Sequence, residues 1–85
     1  MLEKVLKSIN EEYETLETIL DLETGHEWAL NNPQRVVQNA QCRVLGVVMF
    51  AQKYLDVKYE DIDKPFDEFV EKIKKLEKKC LTNKK

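Results

Sequence analysis

The chain's one histidine, His26, is followed at once by Glu27. In the helical signature of zinc proteases such a pair is completed by a second histidine four residues after the first, so that both imidazoles meet one ion. Here that position is Leu30, so His26 reads as a loop residue. The 2 cysteines, Cys42 and Cys80, lie far apart in the sequence with no Cys-x-x-Cys pair. Without converging sulfur or imidazole ligands, or a histidine to act as base, they read as buried or half-buried thiols with neither a metal nor a nucleophilic role. No catalytic, cofactor-binding or metal-ligating residue is assigned.

Carboxylates are the other source of chemistry. Glu11, Glu12 and Glu14, followed much later by Glu60 to Asp63, loosely resemble the acids of all-α nucleotide pyrophosphohydrolases, in which two helices hold magnesium against a triphosphate. The resemblance implies a metal-dependent nucleotide hydrolase, assembled across a dimer. The chain departs from the pattern at Thr15, where the Glu-Glu-x-x-Glu spacing requires an acid. Glu11 and Glu14 also fall opposite the apolar stripe of their helix, as a solvated face would. A third set, Gln34, Arg35, Gln38, Asn39, Gln41 and Arg43, has the side-chain types that read base edges in a major groove. It would belong to a small DNA-binding regulator, but its helix is apolar over half its circumference and the preceding helix is acidic. Nucleic acid is therefore not the expected partner.

These residues need elements to position them, and the apolar spacing supplies helices. Leu2, Leu6, Ile9, Tyr13, Leu16 and Leu20 recur every three to four residues and share one face, which predicts a helix over 2–23, closed by Thr24-Gly25 with the glycine in the left-handed conformation. Asn31-Asn32-Pro33 opens a second helix over 33–55, with an amide to accept from free N–H groups and a proline at the first helical position. Val37, Ala40, Val44, Val47, Ala51 and Tyr54 form its core arc, widened by Val36, Val48, Phe50 and Leu55. Gly46 lies inside this helix at a cost of about 1 kcal/mol relative to alanine, for which close approach of a neighbouring backbone is the expected compensation. Asp56 to Asp63 reads as a connector with a short turn, anchored by Tyr59 and Ile62. Asp63-Lys64-Pro65 then starts a third helix over 64–80, with acids leading and lysines trailing as the helix dipole favours. The expectation is all-α: an antiparallel three-helix bundle forming a single domain over 1–85.

At 85 residues and 10.1 kDa the chain has no room for two lobes with a substrate cleft between them. Net charge is −2, unevenly spread: −6 over Met1 to Glu27, +3 over Trp28 to Tyr59 and +5 over Glu71 to Lys85. Such a bipolar chain favours neighbouring helices of opposite sign over a continuous basic surface. The longest uncharged run, Val44 to Gln52, is far short of the roughly 20 residues that a bilayer requires. The beginning of the chain lacks the pattern of a signal peptide. A cytoplasmic protein is expected, with no membrane partner and no cofactor. A composition rich in lysine, glutamate and asparagine suits small bacterial or phage accessory proteins.

One feature points outward. Cys42, Leu45 and Met49 cluster within about 60° of each other on the helical wheel, roughly opposite the core arc, with Gly46 on their flank. Either the other two helices enclose the second helix on both sides, or this second stripe meets another chain. The second option is favoured, because a domain this small gains stability by self-association. The expected function is a non-enzymatic protein-interaction module, probing partners as an adaptor, inhibitor or regulator and forming a homodimer through Cys42, Leu45, Met49 and Gln38. Trp28, near Leu22 and Leu30, is expected to plug one end of the bundle; exposed, it would join Arg35 as an anchor for a protein partner.

Overall fold

In the computed structural model, which describes residues 1–82, the chain folds into four packed helices: α1 (Leu2–Ile19), α2 (Glu27–Asn31), α3 (Pro33–Tyr54) and α4 (Tyr59–Thr82). The described residues contain no strand. Helix α1 ends four residues before the expected boundary, and Asp21 is the cause. Its carboxylate accepts the backbone N–H groups of Glu23 (2.8 Å) and Thr24 (3.0 Å). Those donors would otherwise continue the helix, and an aspartate side chain competes well for them. The same two N–H groups, Thr24 first, hold the Asp21 carboxyl below its usual range.

Gly25 sits in that turn for a reason other than the expected one. It does not adopt a positive φ. Its own N–H donates to the Asp21 carbonyl at 2.8 Å, the His26 N–H returns to the Ile19 carbonyl at 2.9 Å, and the backbone passes so close that a Cβ on Gly25 would collide with both carbonyl oxygens. Backbone atoms cannot swing aside as a flexible side chain can. Gly25→Ala is therefore expected to destabilise the fold by about 1–3 kcal/mol, read as a lower urea midpoint at unchanged slope.

The connection that follows contains α2, an element absent from the sequence reading because five residues are too few to display a period. Ala29 is its buried residue, and Leu30 packs partly against the core. Asn32 precedes Pro33 as expected, but its side chain makes no capping bond to α3. Its amide instead donates backwards to the Trp28 carbonyl at 3.0 Å, closing α2.

Helix α4 starts at Tyr59, five residues earlier than expected, and carries Pro65 in its interior. Proline there removes one backbone donor and normally breaks a helix. Burial prevails: Val57 and Ile62 are both inside the core, Ile62 with no exposed surface, and Glu60 and Asp61 in the first turn complement the helix dipole. Tyr59, expected as the other anchor of this region, is exposed. The preceding turn bends at Asp56, the only non-glycine residue with a positive φ (54°) among the described residues. Asp is one of the few side chains that tolerate that conformation.

The core lies where α1, α3 and α4 meet, and α2 rests on α3. Leu16, Ile62 and Ile73 are the largest fully enclosed side chains, while α3 contributes Ala40, Val44, Val48 and Ala51. Those smaller residues let the flanking helices approach closely. Helices α1 and α4 run side by side in the same direction, with Met1 and Leu2 beside Asp61 at one end and Leu20 beside Cys80 at the other. No helix is long and apolar enough to cross a membrane among the described residues.

Candidate interaction surface

Packing α3 against α1 and α4 uses one side of it and leaves the other uncovered. Val37, Ala40, Val44, Val48 and Ala51 point inward. Away from that side, Leu45 is 43% exposed, Met49 59% and Phe50 55%, with Cys42, Gly46 and Gln38 exposed beside them, and at the end of the helix Tyr54, on the flank of the core arc, is 63% exposed. The chain itself therefore does not enclose α3 on both sides.

Phe50 and Tyr54 correct the sequence reading, which placed both in the core arc. At 100° per residue, Phe50 lies roughly 100° away from the direction shared by Val44 and Ala51, too far around to reach two neighbours on one side. The signal was available: an arc spanning Phe50, Tyr54, Val36 and Val48 together is wider than one packed face. The two rings lie along adjacent turns with centroids 5.0 Å apart and planes tilted by 45°. The Lys53 ammonium stands 5.4 Å from the Tyr54 centroid, within cation–π range.

Gly46 occupies the middle of this face. The close intramolecular backbone expected as its compensation is absent, since a Cβ placed there would meet nothing within 4 Å. The glycine costs helix propensity and nothing inside the chain needs it.

Trp28 is 50% exposed and does not plug the end of the molecule. Ala29 and Leu30 take that role, because α2 is a single turn and only one of its faces reaches the core. Arg35 is exposed near the start of α3. Arg43, by contrast, is engaged: its Nε donates to Glu12 Oε1 at 2.7 Å, and Nη2 donates to the same oxygen. This pairing of acidic α1 with basic α3 is the complementarity that the charge distribution anticipates. Gln34, Gln38 and Gln41 line the seam that α3 makes with Lys74 and Glu77 of α4.

The two cysteines differ. Cys42 is exposed, whereas Cys80 is buried, with its thiol 3.6 Å from the Leu20 carbonyl that accepts from it. Burial pushes the Cys80 thiol pKa up, opposed by Lys79. The acids of the hydrolase alternative stand apart. Glu60 and Asp61 share the Met1–Leu2 end, whereas Glu11 to Glu14 lie about nine to twelve residues along α1, roughly 13–18 Å of helical rise. Among the described residues, no three His, Cys, Asp or Glu side chains are grouped to hold a metal ion. His26 is exposed at the start of α2. A shallow groove of about 280 Å³ runs between α1 and α4, with the Lys72 ammonium 5.3 Å from the Tyr13 ring centroid at its edge.

Compared with known proteins, the chain matches no family model, no curated protein and no solved structure. The surface must be read from its own chemistry. A row of thioether, aliphatic and aromatic groups beside the exposed Cys42 thiol offers apolar area. What it can do is exclude water against another apolar surface.

Proposed function

We propose that the chain is a non-enzymatic, cytoplasmic protein-interaction module, a three-helix bundle with α2 as a short cap, that forms a homodimer through the outward face of α3. The interface comprises Cys42, Leu45 and Met49 with Gln38 at its edge, extended by Phe50 and Tyr54. Its role is that of an adaptor, inhibitor or regulator, and Trp28 and Arg35 anchor a further protein partner.

The observation that supports this reading is the contiguity of large exposed apolar side chains on one helix whose other side is fully packed. Single exposed apolar residues are common on protein surfaces, whereas contiguous ones rimmed by polar groups mark contacts. Met and aromatic residues are the types enriched at such contacts. The bundle itself is small, so covering this face adds stability that one core of this size provides sparingly.

Sedimentation equilibrium is the test. Wild type at tens of micromolar is expected to sediment as a dimer, and the Leu45→Asp, Met49→Asp double variant as a folded monomer with an unchanged helical spectrum. Wild type sedimenting as a monomer at that concentration overturns the reading.

A further inference from the structure

We propose that residues 56–64, the turn after α3 and the opening residues of α4, form a strap that opens as one unit, hinged at Asp56 and Pro65, while the bundle beneath it stays folded. The strap belongs to the single chain, whether or not α3 meets a second copy. Both hinges depart from regular backbone. Asp56 holds φ at 54°, in the left-handed region that costs free energy for a residue with a side chain. Pro65 lies in the interior of α4, where its nitrogen has no hydrogen to donate to the Asp61 carbonyl and its ring crowds that same carbonyl. The helical ladder is therefore weakened where the strap joins the rest of α4.

What holds the strap down is narrow. Val57 and Ile62 are buried, but Asp56, Lys58, Tyr59, Glu60, Asp61 and Lys64 are exposed and Asp63 is half-buried. The Asp61 N–H donates at 3.0 Å to the Lys58 carbonyl, inside the strap, whereas the Val57 N–H reaches the Ala51 carbonyl of α3 at a longer 3.3 Å. A hollow of about 350 Å³ lies where the strap meets Met1, Leu2 and Leu55, so that stretch of chain has few atoms against it. Beyond Pro65, by contrast, α4 buries Phe69, Ile73 and Cys80 along its whole length. Sparse apolar anchoring under exposed backbone bonds is the mark of a segment that opens below the global unfolding free energy. Opening releases the conformational entropy of the ordered residues, and it bares Val57, Ile62 and the Ala51 end of α3. The strap thus gates an apolar seat at one end of the bundle, closed at rest.

Native-state hydrogen exchange in increasing urea, on dilute protein, tests the strap. The amides of Val57, Asp63 and Lys64 are expected to share one opening with one urea dependence, at protection factors about a hundredfold below that of Ile73. Two variants separate this opening from global unfolding. Ile73→Val is expected to lower protection at position 73 roughly fivefold and to leave the strap amides unchanged, because Ile73 stays packed when the strap opens. Pro65→Ala restores the missing donor to the Asp61 carbonyl and is expected to raise protection of the strap amides by roughly tenfold. Strap amides that fall in step with position 73 in Ile73→Val overturn the proposal, since they then exchange only through global unfolding. So does protection that rises residue by residue from Tyr59 without urea dependence, which is ordinary fraying of a helix end, or a Pro65→Ala variant whose strap amides are unchanged. None of these outcomes bears on self-association, which sedimentation reads separately.

Discussion

Truncating Ile73 to alanine is expected to lower the unfolding free energy by about 2–5 kcal/mol, enough to remove a large share of what a domain of this size possesses. Ile73 has no exposed surface and lies in the middle of α4, in the cluster that includes Leu16 of α1 and Val37, Ala40 and Val44 of α3. Removing its side chain takes away the transfer free energy of three carbons and leaves a cavity. Alanine and valine on α3 are too short to move into that space, so the cost is expected in the upper part of the range. Urea unfolding followed by circular dichroism reads it as a large fall in midpoint. A change below about 1 kcal/mol would mean that the cluster is not the tightly packed centre of the fold.

The second large effect concerns association. Phe50→Glu is expected to weaken the proposed dimer at least a hundredfold, about 2.7 kcal/mol, while the unfolding free energy of the monomer changes by less than about 1 kcal/mol. Two terms combine in the dimer: the apolar area of an aromatic ring is lost, and a carboxylate is placed where water would be excluded. In the monomer neither term applies fully, because the ring is already 55% exposed and the ring it meets within the chain, Tyr54, is itself exposed. A concentration series in the ultracentrifuge, paired with thermal melts of the dilute protein, separates the two quantities. Large loss of monomer stability with unchanged association would place Phe50 in the core after all.

Much of this fold was legible from spacing. The all-helical class and the cores of the three long helices follow from apolar recurrence every three to four residues, because that recurrence is itself what α1, α3 and α4 bury. The ends were less legible, since each is decided by a competition that periodicity does not register. Asp21 stops α1 by taking backbone donors with its side chain. Ile62 extends α4 backwards through a proline because burying it outweighs the lost backbone bond. Five residues of α2 hold a buried alanine without room for a repeat. Gly25 does fall in the turn after α1, but crowding by two carbonyl groups, and not handedness, excludes a side chain there.

The candidate surface was half legible. Cys42, Leu45 and Met49 stood out because they break the polar side of an amphipathic helix. Phe50 and Tyr54 were hidden by their type, since aromatic residues next to a core arc look like core; the helical angle turns Phe50 outward, whereas Tyr54 shares its angle with the buried Val36 and is exposed at the last residue of α3. Trp28 misleads in the same way, its size suggesting burial in a one-turn helix that buries only Ala29 and part of Leu30.

Cys42 offers a reporter at the heart of the contested face, exposed on the single chain while Cys80 is buried. The most direct test is the rate at which a chromogenic disulfide reagent labels Cys42 as the protein is concentrated from below one micromolar to several hundred, with reagent concentration held fixed. Coverage of α3 by a second copy predicts that the rate per thiol falls in proportion to the remaining monomer. A rate that stays constant across the whole series would contradict it.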